Sequence, residues 1–131
     1  MWRYAQRGGD LRFPDGGLFC RGYAGWDDGD GIPEPGEGKN DPSMQGVRNV
    51  GPLPVGVYLI SEPFDHPTIG SFVLRLTPAP GTDTLGRSGF LIHGDNQAKP
   101  GAGSHGCIVI GRAEREFSAA SGDRLLRVVA E

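Results

Sequence analysis

No apolar run among the 131 residues approaches the roughly 18 that a membrane-crossing helix needs. Met1-Trp2-Arg3-Tyr4-Ala5-Gln6 lacks the apolar core of a secretory signal, so the expectation is synthesis in the cytoplasm without a signal peptide. Basic residues are not in excess. Thirteen Lys and Arg stand against sixteen Asp and Glu, a net charge of −3, which favours neither nucleic acid nor an anionic membrane surface as partner. Two cysteines, Cys20 and Cys107, are too few for a disulfide framework. Cys20 follows Leu18 and Phe19 and is expected to pack as a small apolar group, because free cysteine is among the most buried residue types. The length allows one core and not two, so residues 1–131 read as a single domain.

Glycine (23) and proline (11) are abundant enough to suggest disorder by composition alone. The apolar runs argue otherwise. Val55 to Ile60, Phe72 to Leu76, Phe90 to Ile92 and Leu125 to Val129 are compact and separated by turn residues, as strands around a core are. Trp2 to Gln6, Leu11 to Phe13 and Leu18 to Tyr23 predict a small meander, with Gly8-Gly9 as its first hairpin turn. Residues 26–42 have the composition of an exposed loop. Its carboxylates lack the D-x-D-x-D-G order and terminal Glu of an EF-hand, so solvation is the preferred reading over calcium. Phe72, Leu74 and Leu76 should share one strand face, with Val73, Arg75 and Thr77 on the other. One helix is expected, at about 112–121, with Ala113, Phe117 and Ala120 on its apolar side and Gly122 at its C-terminal cap. Arg124 to Ala130 then reads as a final strand, and the fold class is mainly β with long loops.

The chemistry concentrates in Phe90-Leu91-Ile92-His93-Gly94-Asp95 and Ala102-Gly103-Ser104-His105-Gly106-Cys107-Ile108-Val109-Ile110. An apolar strand ends in His93, and a Gly-rich loop returns to Cys107 at the mouth of a second apolar strand. Rigid scaffolds place reactive groups at such strand ends. The thiolate is the reactive form of cysteine, and a nearby imidazole favours it and returns the proton later. On this reading Cys107 is the nucleophile and His93 its proton carrier. The amides of His105, Gly106 and Cys107 converge on a developing oxyanion. A metal site is the sharper rival, because His93, Asp95, His105 and Cys107 are all residue types that zinc accepts.

His93 followed by Ser104-His105-Gly106-Cys107 resembles the H…[S/T]-H-G-C signature of L,D-transpeptidases. Asn40-Asp41-Pro42-Ser43-Met44-Gln45 and Val47-Arg48-Asn49-Val50-Gly51-Pro52-Leu53-Pro54, followed by Gly56 and Tyr58, narrow this. With His93-Gly94-Asp95 and Ser104 to Val109, they are similar to the L,D-transpeptidase-like effectors of type VI secretion systems. The resemblance spans residues 18–130. It implies a β-sandwich or open barrel, no cofactor, and peptidoglycan stem peptides as substrate. It further implies an immunity protein and a secretion machine as partners, and action in the periplasm of a target bacterium. It implies that Cys107 attacks the carbonyl before the terminal D-alanine while His93 moves the proton. Gly94 orients the histidine, Ser104, His105 and Gly106 shape the oxyanion site, and Asp95 lies at the substrate. Many family members carry Arg two residues after the cysteine. Here that position is Val109, so any contact that Arg makes is either lost or supplied elsewhere, by Arg48 or Arg112.

Two other readings stay open: an unrelated cysteine hydrolase, against which the order His before Cys argues, and a non-enzymatic wall- or protein-binding module on the same scaffold. A low-pKa thiol at Cys107, labelled near neutral pH, would separate an enzyme from a binding module.

Overall fold

In the computed structural model, which describes all of residues 1–131, the N-terminal region forms β1 (Trp2–Ala5), β2 (Asp10–Arg12), β3 (Leu18–Arg21) and β4 (Tyr23–Ala24). A long loop and one 3-10 turn, Pro42–Met44, lead to β5 (Gly56–Ile60), β6 (Phe64–His66) and β7 (Gly70–Pro78). β8 (Leu91–His93) and β9 (Ile108–Val109) flank the Gly-rich loop, and α1 (Arg112–Ala120) and β10 (Leu125–Val129) complete the chain. The fold is mainly β with one helix, as the apolar runs predict. β6 is an addition, a three-residue strand that begins directly after Pro63 and is followed by Pro67, with too little apolar pattern to announce itself.

The strands join into one mixed sheet in the order β3-β2-β1-β10-β5-β7-β8-β9-β4, with β6 paired to β7. β1 runs parallel to β10 and β8 parallel to β9, while the other pairs are antiparallel. β3 and β4 are the two ends of this order, yet only Gly22 separates them in sequence. The sheet must therefore curl until its edges meet at Gly22, which gives an open barrel. No side chain fits there. A Cβ on Gly22 would lie 2.1 Å from the carbonyl oxygen of Val109, far inside van der Waals contact.

The interior follows from strand alternation. Trp2 and Tyr4 of β1, Tyr58 and Ile60 of β5, Leu74 and Leu76 of β7, Ile92 of β8, Ile108 of β9, and Leu126 and Val128 of β10 form one core. Cys20 packs against it, half-buried, and burial pushes its thiol up to about 11. Phe72 departs from the expected alternation. Its φ of +54° puts it in the left-handed region and takes it off the core face that Leu74 and Leu76 share.

The helix is correctly placed but turned. Arg115 and Ser118 are its buried residues, whereas Phe117 is 53% exposed. The cause is the main chain beneath it. Arg115 donates from Nε to the carbonyl of Phe72 at 2.9 Å and from Nη1 to that of Ile110 at 2.6 Å. Buried carbonyls at strand ends need donors, and that demand outweighs the burial of one phenyl ring. Phe117 stacks instead on Phe13 and Phe19 at the open edge of the barrel, at centroid distances of 6.0 and 5.2 Å.

Candidate active site

β8 and β9 pair in register Ile92 with Ile108 and His93 with Val109. Ile92 and Ile108 point into the core, so alternation sends Leu91, His93, Cys107 and Val109 to the outer face. Ladder geometry puts the Cα atoms of Cys107 and His93 about 8 Å apart, one strand across and two residues along. The two residues lie on the same face of adjacent strands, with no hydrogen bond between their side chains. Cys107 Sγ lies 3.8 Å from the carbonyl of Gly89.

His93 is 4% exposed, and its Nδ1 lies 2.7 Å from the carbonyl oxygen of Gly94. A carbonyl only accepts, so in the neutral ring Nδ1 carries the hydrogen and Nε2 keeps its lone pair. Burial lowers the pKa of His93, with the Gly94 carbonyl opposing and the nearby Arg115 cation reinforcing the shift. A Cβ at Gly94 would sit 3.1 Å from Arg115 Nη1, a close contact to which the guanidinium would have to yield.

Burial also pushes the Cys107 thiol up, against hydrogen bonding from the Leu91 backbone and the positive charge of Arg87. Burial thus works against the low-pKa thiol that the enzyme reading expects, and the Arg87 charge works for it. Both groups are desolvated, and desolvation disfavours each charged form.

Ser104 is 1% exposed and fully committed. Its Oγ donates to the carbonyl of Cys107 at 2.6 Å and accepts from the amides of Gly25 and Gly106, both at 3.0 Å. It organises the turn from within and has no capacity left for a ligand. The Gly106 amide is spent on it as well, so the three-amide oxyanion reading narrows to His105 and Cys107, whose N–H groups have no acceptor in the protein. Gly106, at φ +148°, takes a backbone conformation that L side chains avoid.

Asp95 is likewise a scaffold residue. It accepts from the amides of Asn96 and Gly101, and from the hydroxyl of Tyr23, which in turn accepts from the Gly103 amide at 2.8 Å. These bonds hold the loop 95–103 in place, and Asp95 stays exposed at the His93 cleft. No three of His93, Asp95, His105 and Cys107 bring ligand atoms within 4.8 Å of one another. The carboxylates that do approach so closely are Asp28, Glu34 and Glu37 in the exposed loop. There Asp28 and Glu37 cap backbone amides of the same loop.

Two clefts open at the pair. One, about 530 Å³, is lined by His93, Gly94, Asp95, Thr68 and Ile69. The other, about 480 Å³, is lined by Cys107, Gly106, Arg48, Asn49 and Arg87. Exposed His105 belongs to both. Of the two arginines that the resemblance offers in place of an Arg at Val109, Arg48 lies at the Cys107 cleft. Arg112 is bound to Ser71 Oγ at 3.0 Å and stacked on Phe72. Arg87, which no sequence motif marks, is the one group in the Cys107 cleft with a buried charge.

The family model described as the Tlde1 domain matches residues 35–129, which includes the whole of the β8–β9 site. No curated protein and no solved structure matches the chain.

Proposed function

The chain belongs to the Tlde1 domain family, a family of type VI secretion effectors, and on that premise we propose that it is a cysteine acyltransferase or hydrolase acting on peptidoglycan stem tetrapeptides. The observation that carries this is the shared outer face of β8 and β9. It supports the reading by carrying Cys107 and His93 on one face of adjacent strands, with the lone pair of His93 Nε2 unclaimed because Nδ1 lies against the Gly94 carbonyl.

Nε2 takes the thiol proton as Cys107 Sγ forms a bond to the carbonyl carbon that precedes the terminal D-alanine. The carbonyl oxygen becomes an oxyanion facing the amides of His105 and Cys107. The C–N bond then breaks, the imidazolium gives its proton to the departing amine, and a thioester remains on Cys107. Water, a free D-amino acid or the amine of a second stem next attacks the thioester, with His93 again removing the proton. The products are a trimmed, an exchanged or a cross-linked stem. Exposed Arg48 at the rim suits the terminal carboxylate of the donor stem. An immunity protein that covers this face, and a secretion machine that carries the chain to the target cell's periplasm, complete the reading.

Incubation with disaccharide-tetrapeptide and mass spectrometry of the products tests it. Loss of one alanine, absent with Cys107→Ala, is the expected result. An unchanged substrate, or a Cys107→Ala variant that still trims it, overturns the assignment. A binding module on the same scaffold would give a complex with the tetrapeptide and no product.

A further inference from the structure

Arg87 is 7% exposed and faces no carboxylate. Both terminal nitrogens of its guanidinium are held by main-chain carbonyls. Nη1 donates to Gln45 at 2.6 Å and Pro52 at 2.9 Å, and Nη2 donates to Gly51 at 3.0 Å and His105 at 3.2 Å. Its flat face lies over the Phe90 ring, 5.3 Å from the centroid. The guanidinium sits directly against the turn before Cys107, since a Cβ on Gly106 would come within 2.5 Å of Nη2.

A buried cation is costly to desolvate and is ordinarily paired with an anion. Here Nη1 and Nη2 have hydrogen-bond acceptors, and the charge has no partner anion. The acceptors are neutral, and the ion pairs of this chain involve other basic groups. No ion pair neutralises Arg87 in the resting protein, so an anion formed next to it would meet an unpaired positive charge. The Cys107 cleft is the open space that Arg87 lines.

We propose that Arg87 is a positioning residue for Cys107, clamping loop 45–52 to the His105–Cys107 turn and presenting an unneutralised buried charge to the thiolate and the oxyanion that follows. The proposal rests on Cys107 being the nucleophile. A fixed cation in a water-poor wall acts on a developing anion without reorganising. The direction of its influence on the thiol, downward against burial, agrees with this placement. Arg48 lies in the same cleft but is exposed, and solvent and salt weaken its field.

The test reads the thiol itself, by iodoacetamide alkylation of Cys107 followed by peptide mass spectrometry, and so does not depend on which substrate the enzyme takes. Rates are measured across the rising alkaline limb. Arg87→Gln should displace that limb upward by about one pH unit, a tenfold slower alkylation at a given pH. Arg87→Lys, which keeps the charge and loses the fork, should stay nearer the parent, and Arg48→Gln should move the limb less than Arg87→Gln. A folded Arg87→Gln with its limb in place overturns the proposal, as does an Arg87→Lys displaced equally far. If neither Arg87 variant folds, the parent protein decides. Its limb should stay fixed between about 0.05 and 1 M salt, and an upward drift would assign the charge effect to exposed Arg48 instead.

Discussion

Ser104 Oγ donates to the carbonyl oxygen of Cys107 across 2.6 Å, and through the same atom it accepts the amides of Gly25 and Gly106. One hydroxyl thus fixes the backbone on both sides of the thiol and ties it to the loop that follows β4. Ser104→Ala strips three buried main-chain groups of their partner, and each unsatisfied group costs about 1–3 kcal/mol before any relaxation. The expected loss is at least about 2 kcal/mol, read as a fall in Tm of several degrees for a domain of this size. Activity should fall too, because the Cys107 carbonyl is free to turn. A Tm within a degree of the parent would show that water replaces the hydroxyl and that Ser104 is not the staple.

His93 and His105 should not be equivalent. His93 is buried and held by Gly94, whereas His105 is exposed on the ridge between two clefts. His93→Ala should cost about 10²-fold or more in kcat, the range of a lost general base. His105→Ala should cost less, since its amide survives the change. Stem-peptide kinetics on both variants check this, and a larger loss at His105 would exchange their roles.

The pH behaviour follows from the two opposed shifts. His93 in the native state protonates below its ordinary value of about 6.5, and Cys107 ionises above its ordinary value of about 8.5. Below about pH 6.5 the unfolded chain binds the His93 proton more readily than the native one, so stability falls as pH drops through that value. Above about 8.5 the unfolded chain releases the thiol proton more readily, so stability falls again as pH rises. The pair therefore favours the window between these values. Tm profiles of His93→Gln and Cys107→Ser should each lose one limb. In kcat/KM the acid limb should lie below pH 6.5. A limb well above that value would mean a histidine whose charge is stabilised, and hence an ion pair at rest.

Much of this site is legible in the sequence because side-chain identity carries it. His93 ending an apolar strand and Cys107 preceding another are visible as pattern, and the parallel pairing of β8 with β9 carries both onto one face of adjacent strands. Arg87 is not visible, because its partners are carbonyls of Gln45, Gly51, Pro52 and His105, and a carbonyl leaves no residue signature. The buried face of α1 differs from its apolar pattern for the same reason: Arg115 is drawn inward by the main chain of Phe72 and Ile110, which apolar periodicity cannot register. Gly22 reads as a turn residue in sequence. Its part in closing the barrel emerges only when β3 and β4 are found at opposite ends of the sheet.

The proposed substrate lies outside the cytoplasmic membrane of a Gram-negative cell, so the compartment in which the chain is placed should decide whether it does harm. Expressed in a susceptible host behind a fused secretory signal, the protein meets mature stem peptides. Trimming or exchange of their terminal D-alanine removes donors for normal cross-linking. Growth should then fail, with cells rounding or lysing as the wall weakens. Cys107→Ala in the same vector should restore growth, since that change deletes the thiol while Ser104, Gly106 and Arg87 keep the turn in place. The unfused chain should be tolerated, because the cytoplasm holds precursors and no assembled wall. Colony counts and the muropeptide profile of the surviving wall are the readouts. Equal toxicity from the cytoplasm, or toxicity that persists in Cys107→Ala, would point to an intracellular target or to a non-enzymatic action and would remove peptidoglycan from the reading.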